Sequence, residues 1–374
     1  KMGKVFYYPK GDKPKNLHVT PVAGIVKPRP GISQDDPELS FLERYKLRLI
    51  TDLLRSGVNS ASAAAPKCKF GDIASAASIM QADAFLFVID LSDAFFHWPI
   101  HPSSRQWLGF HNEWKKGQHG EFGHYAFSCF GMQQAPWLND LFSKHALRQL
   151  FIEHDIRLID FVDDNLGAGA SEKEAWNFFE TAVLFLLSLG IRVTTKPSGL
   201  RPPSQSQEWI GWLFETTPSA ASSSGSYQFP MRVVVPPEKQ AEAVRRIDGV
   251  RELHAENALR VRDFLSCLGY LQHIAEVDAP GKRRLHSLWT SVNSTEVHTF
   301  WQKGQRHIDP LCPLSSDSVR DLLWWRERIT SSESIWCPII PSVLNSSTSW
   351  STRSPDFQKL EEEVILSRGT DAEI

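Results

Sequence analysis

The feature that most constrains this chain is AFLFVID, residues 84 to 90, an unbroken apolar run of strand length that ends in a carboxylate. Strands buried on both faces read as continuous apolar residues rather than as an alternation. The run therefore belongs in the middle of a sheet, with Asp90 at its C-terminal end. A second stretch, IRLIDFV from Ile156, alternates Ile156, Leu158 and Phe161 with polar partners and runs into Asp163, Asp164 and Asn165, residue types of a hairpin bend. If the two strands lie side by side, three carboxylates meet at one sheet edge. Such groups repel, raise one another's pKa and favour a cation between them. Oxygen-only ligands suit Mg²⁺, with Mn²⁺ as a substitute. Turn chemistry alone also explains the aspartates, and on these residues both readings stay open.

The flanking pattern alternates helix and strand signals. DIASAASIM is a short helical pattern, and WLNDLFSKHALRQLF repeats Trp137, Leu138, Leu141 and Phe142 at helical spacing after Pro136. Ser171 and Glu174 form a capping box, Phe178, Phe179, Ala182, Val183, Leu186 and Leu187 the apolar stripe, and Gly190 the stop. IRVTTK then reads as a strand, and EWIGWLFET and YQFPMRVVV as two more, joined by PSAASSSGS. From Pro236 the pattern turns helical, with Phe264, Leu265, Leu268 and Leu271 on one face.

At 374 residues the chain exceeds one average domain. Its net charge of −2 argues against coating nucleic acid by bulk electrostatics, but residues 1–30 carry seven Lys and Arg against the single Asp12. The five cysteines form no CxxC pair, so neither a disulfide framework nor a zinc knuckle is expected. The longest apolar run, AVLFLLSLGI from Ala182, is about half a membrane span, and no secretory h-region opens the chain. An intracellular protein with no membrane partner is expected, and a chain that starts at Lys1 reads as a piece of something longer. His97 and His101 flank Pro99 and are expected to be surface histidines rather than a zinc pair.

In order and spacing, DLSDAFFHWPIHPSSRQWLGF from Asp90, YAFSCFGMQQAPWLNDLF from Tyr125, FVDD from Phe161, LGIRVTTK ending at Lys196 and EWIGWLF from Glu208 resemble the successive palm motifs of reverse transcriptases. The resemblance covers roughly residues 40 to 290. KLRLITDLL from Lys46, LSDAFFHWPIHP and DLLWWRERI are similar to the polymerases of DIRS-like and gypsy-like retrotransposons.

The resemblance implies an α+β right-handed polymerase fold with fingers, a palm built on an antiparallel sheet, and a helical thumb. It divides the chain into a basic extended arm (1–40), fingers (41–89), a palm (90–235) with a fingers insertion around 98–130, and a thumb (236–290). A connection-like segment (291–341) and a loose polar tail (342–374) follow. It implies RNA-directed DNA synthesis with an RNA template, a DNA primer and dNTPs, and two Mg²⁺ held by Asp90, Asp163 and Asp164. Lys196 becomes a general acid toward pyrophosphate. Lys46 and Arg48 grip the triphosphate, Phe95 gates the sugar, and Phe130 and Gly131 line the nucleotide pocket. Trp209, Gly211 and Trp212 hold the primer end, and Arg245, Arg246, Arg260 and Arg262 meet duplex phosphates. Two alternatives accompany this reading: a decayed or domesticated remnant that only binds nucleic acid, and an RNA-synthesising polymerase, which Phe95 disfavours. No acidic RNase H pattern follows DLLWWRERI, so RNase H activity is not expected.

Overall fold

The computed structural model describes residues 4–9, 12–28, 40–112, 121–196, 199–217, 231–303, 305, 308–331 and 335–339. Two strands open the chain, β1 (Val5–Tyr7) and β2 (Val22–Pro28). A helical turn, α1 (Phe41–Arg44), leads into β3 (Tyr45–Thr51), which pairs antiparallel with β2 from Val22↔Thr51 to Pro28↔Tyr45. The arm expected at residues 1–40 is thus partly built into sheets, because both of its strands have antiparallel partners later in the chain. α2 (Val58–Ala61) and α3 (Ile73–Ala77) follow, the latter capped by Asp72, whose side chain accepts from Ser75 N–H.

β4 (Phe85–Asp90) is the buried central strand that the apolar run predicts, with Leu86 to Ile89 fully buried. After a 3-10 turn over Ala94–His97, β5 (Gly109–Asn112) and β6 (Glu121–Tyr125) form a hairpin, and β1 joins its β6 edge to give the order β1-β6-β5. α4 (Ala135–His154) has proline in its first turn, as expected. β7 (Leu158–Phe161) and β8 (Asp164–Gly169) form the next hairpin. α5 (Glu172–Ser188) starts at the capping box: Ser171 Oγ accepts from Glu174 N–H at 3.2 Å, and the Glu174 carboxylate accepts from Ala170 N–H. β9 (Leu200–Ser204) completes a sheet of order β7-β8-β4-β9.

Two strand expectations are corrected here. IRVTTK makes a single bridge, Leu91↔Val193, and the edge beside β4 is taken by β9, whose Pro202 and Pro203 suit an edge position. EWIGWLFET is itself a hairpin: β10 (Ser206–Trp209) and β11 (Trp212–Glu215) turn at Ile210 and Gly211, both at positive φ. β12 (Arg232–Val234) pairs with β11, and the PSAASSSGS loop before it lies outside the described residues.

Helices complete the molecule: α6 (Pro237–Ala255), α7 (Val261–Ile274), α8 (Ala279–Asn293), α9 (Val297–Gln302) and α10 (Ser316–Thr330). The final described strand, β13 (Trp336–Pro338), pairs with β12, and residues 342–374 lie outside the described residues. One continuous core joins Leu86, Val88 and Leu166 of the sheet to Trp209, Trp212 and Phe214 and on to Phe264, Leu268 and Trp325 of the helices. A second lies between that sheet, α4 and α5, and a third gathers Leu53, Phe110 and Tyr125 from the end of β3 and the β5-β6 hairpin. No described helix is long and apolar enough to cross a membrane.

Candidate active site

Asp90 ends β4 and Asp164 begins β8, and the two are register partners in the antiparallel ladder. The strand beside β4 is therefore β8, the second arm of the hairpin, rather than the Ile156 strand. Cross-strand pairing sets Asp90 opposite Asp164 on one sheet face, but does not of itself bring the third expected carboxylate, Asp163, to them. Asp163 sits in the two-residue bend, and its carbonyl accepts from Leu91 N–H at 2.7 Å. The backbone of Asp90 is pinned on its other side: its N–H donates to Gly199 O and its carbonyl accepts from Thr194 N–H, both at 2.9 Å.

Val162, the other bend residue, has φ +60°, a region that β-branched side chains rarely adopt. The fully buried Asn139 on α4 holds it, donating Nδ2–H to Val162 O at 2.5 Å while Oδ1 accepts from Trp98 Nε1–H at 3.1 Å. Sequence reading missed Asn139. Its signal was an amide on the stripe that also buries Ser143, Ala146 and Leu150. Gly199 was missed too: a Cβ there would press on the Asp90 side chain at 2.9 Å.

Burial first, then the neighbouring Asp163 and, least, Glu208 hold the Asp164 carboxyl above its ordinary range, with Arg201 opposing them. Among the described residues no three His, Cys, Asp or Glu side chains converge closely enough to hold a metal ion. The donor chemistry nevertheless fits a hard divalent cation: all ligands are oxygen, and opposed carboxylates are costly without a positive charge. Binding calls for side-chain rotation or a shift of the bend.

The raised pKa has a sign. The folded state holds the Asp164 proton more tightly than the unfolded chain does, so stability is lost as pH rises through the folded pKa. Asp164→Asn is expected to raise the melting midpoint at pH 7 without divalent cation by about 1–3 °C, a gain that shrinks toward pH 4. An unchanged or lower midpoint at pH 7 would contradict this account.

Phe95 lies in the 3-10 turn after β4, and its ring meets Phe130 edge-on at 5.2 Å, so two residues of the implied nucleotide pocket come together. Gly131 has φ +102°, and a Cβ on it would overlap the Thr51 carbonyl. Thr51 N–H donates to Phe130 O at 3.1 Å, and Asn59 donates to Gly131 O at 2.9 Å and accepts from Gln133 N–H at 3.1 Å. This loop is thereby fastened to the end of β3, the strand of Lys46 and Arg48. The side chains of Lys46 and Arg48 lie outside the described residues.

Lys196 is exposed, four residues before the β9 edge. Trp209 and Trp212 are 0% and 1% exposed, which makes both indoles core side chains, so the turn offers a strand only Ile210, Gly211 and what surrounds them. Arg245 and Arg246 both bond Glu242, and Arg246 also donates to Ser266. Arg260 Nη1 donates to Asp309 O at 3.1 Å. Arg262 N–H donates to the Asp309 carboxylate at 3.1 Å. His97 is half-buried rather than a surface residue: its Nε2 accepts from Arg192 N–H at 2.9 Å, while His101 is exposed as expected.

No family model matches the chain. Over 199 residues, 52% of its length, it is 28% identical to the Gag-Pol polyprotein of avian reticuloendotheliosis virus, of which it spans 15%. The solved foamy viral protease-reverse transcriptase (dRH) in complex with ds DNA matches 87% of this chain and 45% of its own, with a TM-score of 0.59 and 15% identity. The foamy viral protease-reverse transcriptase in complex with an RNA/DNA hybrid matches 84% of this chain and 33% of its own, with a TM-score of 0.52 and 16% identity. The architecture is the α+β right-handed polymerase fold of reverse transcriptases. Fold and sequence match together support a reverse transcriptase domain of a retroelement.

Proposed function

We propose that this chain is an RNA-directed DNA polymerase that extends a DNA primer on an RNA template with dNTPs. The observation that carries the reading is the opposition of Asp90 and Asp164 across β4 and β8, with Asp163 in an adjoining bend braced by Asn139. Two Mg²⁺, or Mn²⁺, held by Asp90, Asp163 and Asp164 would neutralise charge on the transferring phosphoryl group and activate the primer hydroxyl. The relatives solved with ds DNA and with an RNA/DNA hybrid are consistent with a duplex as partner.

Around that centre, the protein's own groups position and select. Lys196, exposed and unencumbered by secondary structure, donates a proton to the leaving pyrophosphate. Lys46 and Arg48, on the strand fastened to the Phe130 loop, bind the triphosphate. Phe95, backed edge-on by Phe130, lies beneath the sugar and excludes a 2′-hydroxyl. Phe95→Val is expected to raise ribonucleotide incorporation by about tenfold relative to deoxyribonucleotide. Unchanged sugar selection in single-nucleotide incorporation would remove the gate.

Primer extension on poly(A) and on a DNA template, with Mg²⁺ or Mn²⁺, tests the activity. Template-dependent incorporation supports it. Absence of incorporation together with salt-sensitive duplex binding would instead identify a remnant that only binds nucleic acid.

A further inference from the structure

His97 has both ring nitrogens committed, and to two different stretches of the chain. It closes the 3-10 turn that carries Phe95, where its Nδ1 lies 3.1 Å from Ala94 O, and its Nε2 accepts from Arg192 N–H at 2.9 Å. A nitrogen that accepts from an amide must keep its lone pair, so the ring is neutral and its proton sits on Nδ1, donating to Ala94 O. The two partners together select one tautomer.

The bond to Arg192 extends a short pairing between the end of β4 and the segment before β9. Thr194 N–H donates to Asp90 O at 2.9 Å and Ser92 N–H to Arg192 O at 2.8 Å, on either side of the Leu91↔Val193 bridge. His97 carries that tie past the strand end into the turn of Phe95, and Lys196 follows Arg192 by four residues. The neighbouring Trp98 reaches the other way, its Nε1–H donating to the Asn139 that holds the Val162 bend. Burial, the largest influence, pushes the His97 pKa down; the Ala94 bond and Asp93 push it up, and Arg192 and Lys4 push it down, for a net position below the ordinary histidine range. Asp93 is itself paired with Lys4. The stability that the neutral ring contributes is therefore present above the ordinary range and lost as pH falls through the folded value.

We propose that His97 is a positioning residue of the nucleotide site: as a neutral ring accepting from Arg192 N–H, it sets the turn of Phe95 against the segment of Lys196 and so governs the fit of the incoming sugar. The inference rests on the polymerase reading for what Phe95 meets. A second proton on the ring turns Nε2 into a donor facing the Arg192 N–H, and the tie is lost. His97 acts through Phe95 and takes no part in bond making.

The tautomer is tested on the full chain by nitrogen-15 spectra of histidine-labelled protein, with the His97 signal assigned by its loss in His97→Gln. The Nδ1–H form is expected at about pH 7.5. An Nε2–H ring or an imidazolium there overturns the proposal, whatever the chain catalyses. Single-nucleotide incorporation by wild type, His97→Gln and His97→Asn then reads the positioning. The Gln side chain can place Oε1 where Nε2 stood and takes up no proton, whereas Asn keeps a donor near the Nδ1 position and falls short of Arg192. His97→Asn is expected to raise the dNTP KM about tenfold and to weaken selection against ribonucleotides about threefold, with kcat changed by less than about threefold. His97→Gln is expected to stay within about twofold of wild type in each. From about pH 8 to about pH 5 the wild-type KM is expected to rise relative to that of His97→Gln, a comparison in which the titration of the triphosphate cancels.

A folded His97→Asn with wild-type KM and sugar selection, a His97→Gln no better than His97→Asn, or parallel KM curves for wild type and His97→Gln overturns the positioning role and leaves the polymerase reading intact. If thermal melting shows His97→Asn unfolded, the pH comparison of wild type with His97→Gln decides. A wild-type chain that incorporates no nucleotide overturns both.

Discussion

Asp163→Asn is expected to lower nucleotide incorporation on the order of a thousandfold, the scale of losing one directed electrostatic group from a phosphoryl- or acyl-transfer site. The substitution is nearly isosteric, and the Asp163 backbone carbonyl keeps its bond from Leu91 N–H. Duplex affinity and melting midpoint should stay close to wild type. Single-turnover extension under saturating Mg²⁺, with melting measured in parallel, separates the chemical loss from a structural one. Residual incorporation within tenfold of wild type would remove Asp163 from the proposed cation site. Asp90→Asn is expected to behave alike, since Asp90 shares the ladder position with Asp164.

Gly131→Ala is expected to cost about 3 kcal/mol of stability, combining left-handed backbone strain with a collision. The collision is with backbone: the new methyl would overlap the Thr51 carbonyl, which cannot swing away as a flexible side chain could. Relief requires separating the Phe130 loop from β3, which would break the Thr51 N–H to Phe130 O bond and disturb both Asn59 contacts. The loss should therefore include a raised KM for dNTP as well as a lower melting midpoint. A variant with wild-type stability and nucleotide KM would show that the loop and β3 are not coupled as described.

What could be read from sequence divides along a physical line. The central strand was legible because burial on both faces imposes a continuous apolar run, and Asp90 at its end stood out against it. The capped helix was legible because Ser171, Glu174 and Gly190 act locally. The hairpin of β10 and β11 was not, because Ile210 adopts φ +46° without the residue chemistry that usually announces such a turn. Neither was Asn139, whose bracing of the bend comes from a partner 23 residues away in the chain. Edge pairing was equally hidden: β9 carries two prolines, and only the geometry of the sheet decides that it, and not IRVTTK, borders β4.

The pairing of β1 with β6 has a consequence for how the molecule assembles. It joins Val5 to Tyr125, so nothing local rewards the first strand when it leaves the ribosome. Closing a loop of that length costs on the order of 4 kcal/mol of chain entropy before the ladder contributes anything. Phe6 and Tyr7 stay 48% and 53% exposed even after pairing, so their burial offsets little of that cost. During synthesis this apolar stretch waits through more than a hundred residues without its mate, which leaves it open to association with other nascent chains.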